Sequence, residues 1–230
     1  MKRILFILLA TVMALVSCDK QNARYKFLPN DQIPVPEPVD IGLVVGGHKV
    51  LWANFNLGAS TEGGYGYYYA WGETKPKWKF TRLNYSYKAN PDVLPADRDA
   101  ASVVLGGGWR TPTREEFVAL IQLQDNEDYL WEAGAVITED LGTKALSTRT
   151  VKGLRITQKS TGNHIFIPYT EIADETVPGN NETYTFGFYM SSTLEKEDHE
   201  SFYVFHLPMF HEDFWYWRHC GYTIRPVKVE

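Results

Sequence analysis

Two cysteines, six histidines and a scatter of carboxylates are the side chains here that could carry covalent, metal or acid–base chemistry. His206, His211 and His219 fall close in sequence to Glu212, Asp213 and Cys220, a set of nitrogen, oxygen and sulfur donors of the kind that holds a transition metal. Their spacing fits neither a His-x3-His helix pair nor a Cys-x2-Cys knuckle. They read instead as the lining of a hairpin with its tip at Phe210-His211-Glu212-Asp213, and no metal is expected. Cys220 directly follows His219, but neighbours in a strand point to opposite faces, so the two do not form a nucleophile and its base. Cys220 reads as a buried structural thiol. Glu115-Glu116 comes nearest to a carboxylate pair. Glycoside hydrolysis needs two carboxyls facing each other across a cleft, which adjacent helix positions do not do. Asn90-Pro91-Asp92 offers oxygens to a hard cation, yet the six or more that calcium requires cannot be assembled, and a loop turn is the default. No Gly-x-Ser-x-Gly elbow or phosphate loop is present. The chemistry-bearing residues therefore point away from an enzyme, and no cofactor is expected.

What stands out is aromatic: the chain holds 7 Trp, 14 Tyr and 12 Phe. One group runs from Tyr65 through Tyr67, Tyr68 and Tyr69 to Trp71 and Trp78. The other comprises Phe202, Tyr203, Phe205, Phe210, Phe214, Trp215, Tyr216 and Trp217, with Arg218 at its end. In alternating strands about half of each set points inward. The outward half offers flat, low-entropy faces that stack on sugars or anchor protein partners. The competing reading is that all of these rings build core and cross-strand ladders. The ligand-binding candidates are Tyr203, Phe205, Trp215, Tyr216, Trp217 and Arg218.

The elements that must position these residues are mostly strands. Ile41–Val45 and Lys49–Leu57 flank Gly46-Gly47, a pair suited to the positive φ angles of a tight hairpin. Arg155–Lys159 and His164–Tyr169 surround Thr161-Gly162-Asn163 as a second hairpin. Phe186–Ser192, Phe202–Leu207, Phe214–Arg218 and Tyr222–Val227 also read as strands. One helix is well defined, near 113–124: Thr113 as N-cap and Glu116 three residues on form a capping box, and Phe117, Leu120 and Ile121 share a face. A shorter helical turn is expected around Asp97–Val104. Trp109, Arg110, Thr113 and Glu116 read as structural, as do Trp71 and Arg225. Asp97 or Asp99 either pairs with Arg110 or caps the short turn. Strands without βαβ alternation, joined to one or two helices, give an α+β, antiparallel β-rich fold.

Charge and the start of the chain set the compartment. The 230 residues carry a net charge of −5 with no basic run, which argues against nucleic acid as a partner. Lys2 and Arg3 precede Ile4–Val16, apolar except for Thr11 and shorter than the roughly 18–20 residues of a membrane span. Leu15-Val16-Ser17-Cys18 then has the form of a bacterial lipobox, so residues 1–17 read as a lipoprotein signal peptide and Cys18 as the lipidated residue. Several acyl chains give stable anchoring. Residues 18–38, with Pro34, Pro36 and Pro38, read as an extended spacer. The folded domain is expected over 39–230.

Several fragments in order carry a family resemblance. Val39-Asp40-Ile41-Gly42-Leu43, Trp52-Ala53, Asn56-Leu57-Gly58-Ala59-Ser60 and Tyr69-Ala70-Trp71-Gly72-Glu73-Thr74 stand early. Asp97-Arg98-Asp99-Ala100-Ala101, Gly107-Gly108-Trp109-Arg110-Thr111-Pro112-Thr113 and Glu116-Phe117 stand in the middle. Ser191-Ser192-Thr193 and Gly221-Tyr222-Thr223-Ile224-Arg225-Pro226-Val227 close the set. Together they resemble the Fibrobacter succinogenes major paralogous domain, found in exported and lipid-anchored proteins of gut Bacteroidetes, over about residues 39–228. The chain departs from the family in having Tyr189-Met190 before its Ser-Ser-Thr. The resemblance implies a C-type-lectin-like fold with paired N- and C-terminal strands and late loops as the recognition surface. It also implies an outer-membrane lipoprotein at the cell surface. The formylglycine-generating enzymes that share such a fold need cysteine chemistry that the lone Cys220 does not supply. The function expected is a non-catalytic carbohydrate- or protein-binding module; the alternative is a surface-assembly or adhesin-stalk protein with no small ligand.

Overall fold

The computed structural model describes residues 27–140, 148–177, 184–209 and 213–230. The expected signal peptide, Cys18, the beginning of the expected spacer and the expected hairpin tip at 210–212 lie outside these residues. The chain divides into two units, Met1–Gln32 and Ile33–Glu230. In the first, the described residues form a single 3-10 turn at Asn30–Gln32. The second begins earlier than the expected Val39. Ile33 is 5% exposed and belongs to an apolar cluster with Leu57, Trp71 and Tyr222, so the chain is pinned to the domain at Ile33 while residues 28–32 and Val35 stay exposed. Among the described residues no helix is long and apolar enough to cross a membrane.

Along the second unit the chain makes β1 (Pro38–Val39), β2 (Val44–Val45) and β3 (His48–Ala53). Gly46 and Gly47, at φ 58° and 83°, supply the left-handed turn between β2 and β3. After the Tyr65–Trp71 run, which is largely irregular, come β4 (Lys79–Phe80), α1 (Ala100–Leu105) and α2 (Arg114–Gln122). A long hairpin follows, β5 (Tyr129–Asp140) and β6 (Thr148–Gln158), then β7 (His164–Pro168) and β8 (Glu175–Thr176). The chain closes with β9 (Gly187–Leu194), β10 (Ser201–Leu207), β11 (Trp215–Trp217) and β12 (Val227–Val229).

All named strands pair antiparallel, giving an α+β, β-rich fold of small sheets. In the first sheet β3 is central, with β12 on one side (Val227 opposite Trp52) and β1 and β2 as its other partners. β5, β6 and β7 form a second sheet, β9, β10 and β11 a third, and β4 pairs with β8. The C-terminal strand is shorter and later than the expected Tyr222–Val227. Pro226 has no backbone donor, and Tyr222 and Thr223 make only isolated bridges, to Tyr69 and Tyr189.

The third sheet is a wall between two apolar clusters, and side-chain alternation explains why. Tyr189, Phe205 and Leu207 face a cluster with Trp52, Phe117, Leu120, Leu154 and Phe166. Met190, Phe202 and Val204 face the other, with Trp71, Ala101, Tyr222 and Ile224. Helix α2 lies against the first cluster. Its N-terminus is fixed by Thr113, whose side chain accepts from Glu116 N while the Glu116 carboxylate accepts from Thr113 N, the expected capping box. Phe117 stacks on Phe205, centroids 4.5 Å apart and planes 14° apart. Complete burial of a Leu120-sized side chain contributes about 1.5–3 kcal/mol.

Buried charge holds the loops. Asp99 resolves the alternatives left by the sequence: it caps α1, accepting from Ala101 N, and binds Thr111 through both oxygens at 2.8 Å. Arg110 pairs with Glu116, so the helix cap and the ion pair share one carboxylate. Arg225, 0% exposed, donates to the Ala53 carbonyl at 2.9 Å and the Phe166 carbonyl at 2.6 Å, stapling the end of β3 to β7. Burial pulls its guanidinium down to about 10, where it still carries its charge at neutral pH. Trp109 is 3% exposed with Lys228 Nζ 5.2 Å from its ring centroid.

Candidate ligand-binding surface

The aromatic residues proposed from sequence are carried by β10, β11 and the turn that follows. β11 is the edge strand of its sheet, with Tyr203 opposite Trp215, Phe202 opposite Tyr216 and Ser201 opposite Trp217. Period two then sorts the side chains. Trp215 and Trp217 project on the outer face, 49% and 38% exposed. Tyr216 lies on the other face, half-buried against the cluster that holds Phe202 and Tyr222.

Two of the six candidates offer no surface. Phe205 is 2% exposed beneath α2, in the stack with Phe117. Arg218 is 4% exposed because β11 ends at Trp217 and the chain turns inward. Its Nε donates to Tyr85 Oη at 2.9 Å, one Nη to Asn90 Oδ1 at 2.7 Å and His199 O at 2.8 Å, and the other to Ala89 O at 2.7 Å. Arg218 is thus a strut that fixes the 85–90 loop. Asn90 is committed to it and is not free to ligate a cation.

The surface that remains is Tyr203, Trp215 and Trp217, bordered by charged residues that the sequence reading missed. Arg114, first residue of α2, lies with Cζ 4.9 Å from the Tyr203 ring centroid and pairs with Asp213. Trp217 is already engaged: Arg82 Cζ is 5.5 Å from its centroid, and the His219 ring stacks at 5.6 Å and 20°. Trp215 has the larger exposed ring.

The first turn of α2 also borders a cleft of about 480 Å³ lined by Asp92, Glu115, Thr193, Glu195, Lys196 and His199 among others. No short motif links these positions, so nothing in their spacing announced the cleft. Its volume falls within the roughly 300–1,000 Å³ of small-molecule sites. Comparison of the chain with protein-family models, with curated proteins and with solved structures finds no match.

The histidines disperse. His206 stacks on Phe188, centroids 4.4 Å apart, and lies tilted against Phe214 at 4.7 Å and 41°; His211 and Glu212 lie outside the described residues. His219 and Cys220, expected on opposite faces of a strand, occupy the turn after β11 and come together with Asp174. Burial, reinforced by the Asp174 charge, pushes the Cys220 thiol up to about 12, so it is no nucleophile at neutral pH.

Proposed function

We propose that this chain is a non-catalytic, lipid-anchored cell-surface module that binds a glycan or protein ligand on the face made by Tyr203, Trp215 and Trp217. The observation that carries this reading is the exposure of Trp215 and Trp217, 49% and 38%, on one face of an edge strand, whereas most rings among the described residues are buried. Flat indole faces stack on sugar rings and anchor protein partners at low entropic cost. The carboxylates, hydroxyl and ammonium of the neighbouring cleft supply the polar contacts that fix orientation, which favours a glycan.

The C-type-lectin-like reading is supported by the pairing of β12 with β3, the capped helix and the position of the aromatic face in the late part of the chain. Attachment to the outer membrane through acylated Cys18 is supported by the lipobox alone. A glycan array and partner pull-down with the full chain, compared with Trp215→Ala and Trp217→Ala, test the binding face. Equal binding by all three removes it.

A second reading is favoured by Asp92, Glu115 and Glu195 lining one cleft, since glycoside hydrolysis draws on a pair of carboxyl groups beside the scissile bond. It requires turnover of an oligosaccharide that disappears in Glu115→Gln or Glu195→Gln. Binding without turnover selects the first reading.

A further inference from the structure

We propose that Asp174, His219 and Cys220 form a zinc-class metal site at the base of the aromatic hairpin. A carboxylate oxygen, a ring nitrogen and a sulfur from these residues all lie within 4.8 Å of one another. Cys220 Sγ and Asp174 Oδ1 are 3.7 Å apart. A tetrahedral ion with Zn–S near 2.3 Å and Zn–O near 2.1 Å has an S···O edge of about 3.6 Å. The pair, joined here by an S–H···O hydrogen bond from Cys220 to Asp174, is therefore spaced as one edge of that tetrahedron.

The backbone holds the donors in place from both sides. Ala173 and Gly221 form an isolated antiparallel bridge, exchanging both N–H···O bonds at 2.9 Å, which sets Asp174 and Cys220 beside each other. Trp71 N donates to Arg218 O at 3.0 Å and Cys220 N to Trp217 O at 3.3 Å, fixing the turn that brings His219 and Cys220 together. The His219 ring is held by its stack on Trp217. On the Asp174 side, Glu175 sits at φ 65°, the left-handed region that a non-glycine residue adopts only when its surroundings impose it.

The donor set selects the ion. Sulfur and nitrogen favour zinc or a neighbouring transition metal over calcium or magnesium. One carboxylate and one thiolate neutralise a divalent cation, so the filled site adds no net charge beside the nearby Arg82 guanidinium. On binding, the Cys220 thiol proton passes to solvent and Sγ donates a lone pair to the metal. His219 and Cys220 are buried whereas Asp174 is exposed, so the fourth position opens toward solvent on the Asp174 side. Sequence reading missed the site because the third donor, Asp174, lies far from the other two along the chain.

Titration of the full-length chain with Co²⁺, free of other metals, tests this. One equivalent is expected to give the ligand-field bands of a tetrahedral ion and a near-ultraviolet thiolate-to-cobalt charge-transfer band, both displaced by Zn²⁺. Cys18→Ser should keep the spectrum, Cys220→Ser should lose the charge-transfer band, and Asp174→Asn should weaken binding at least tenfold. Asp174 is exposed, so Asp174→Asn reports on the site even where Cys220→Ser fails to fold. No thiolate band, a band lost in Cys18→Ser, or affinity unchanged in Asp174→Asn would each overturn the proposal.

Discussion

The Arg218 guanidinium lies over the Trp71 ring, its Cζ 4.6 Å from the centroid. This contact joins the end of the aromatic hairpin to the early aromatic run, so the segments beside the proposed binding face are held by a buried cation. Arg218→Ala leaves the carbonyls of Ala89 and His199 without their donor and should destabilise the fold by about 3 kcal/mol. Arg218→Lys keeps the charge but not the planar fork and should recover less than half of that. Urea unfolding of the three proteins measures both effects.

Phe205 and Trp215 should separate stability from binding. Phe205→Ala opens a cavity under α2 and is expected to cost about 3–5 kcal/mol. Trp215→Ala removes a half-exposed ring and should change stability by no more than about 0.5 kcal/mol. Ligand affinity should nevertheless fall at least tenfold, about 1.4 kcal/mol. Unfolding midpoints and binding isotherms on the same samples decide; an unfolded Trp215→Ala would return that ring to the core.

Alkaline pH should unfold the protein through its buried acids. Burial raises Cys220 from 9.0 to about 12 and Tyr189 from 10.0 to about 12, and it raises Tyr222 and Tyr68 as well. Between the ordinary and raised values the folded state keeps protons that the unfolded state has lost. The stability these groups contribute, complete below the ordinary values, therefore drains away as pH rises through that interval, by roughly 1.4 kcal/mol per group per unit. Arg225, lowered from 12.5 to about 10, acts in the opposite sense and offsets part of the loss. Circular dichroism followed with tyrosinate absorbance should show cooperative unfolding and phenol ionisation together. Tyr189→Phe should shift the transition to higher pH if its hydrogen bonds to Asn56 and Pro168 contribute less than its ionisation costs.

Without metal, Cys220 should resist iodoacetamide at neutral pH and react once urea unfolds the chain, since it is 0% exposed and its thiol is protonated. Peptide mass spectrometry reads this directly. Modification of the native chain at the rate of a free thiol would contradict the burial.

Local signals were legible and relayed ones were not. Helix α2 could be read because Thr113, Glu116, Phe117 and Leu120 each act within two turns of each other. The β6–β7 hairpin could be read because Thr161-Gly162-Asn163 supplies its turn, with Gly162 at φ 77°. Strand β5 escaped notice because a register shift between Ala133 and Ala135 breaks its alternation, and most of its side chains are half-buried or exposed. On the proposed binding face, alternation required about half of the late rings to point outward, as Trp215 and Trp217 do, whereas Phe205 was claimed by a helix remote in sequence. Arg218 was read as continuing an aromatic strand, but its partners at Asn90 and Tyr85 are contacts of sequence separation 128 and 133.

The break in β5 has a consequence for neighbouring molecules. β5 is the twelve-residue edge strand of its sheet, and an edge of that length is a template on which a second chain can zip. Gly134, at φ 78°, turns its N–H to the Tyr169 hydroxyl at 2.9 Å and interrupts the ladder near the middle. Glu132 and Asp140 place negative charge along the remaining lengths. A second copy meeting this strand finds a short, acidic, bent edge, a poorer template for strand pairing than a flat one of the same length.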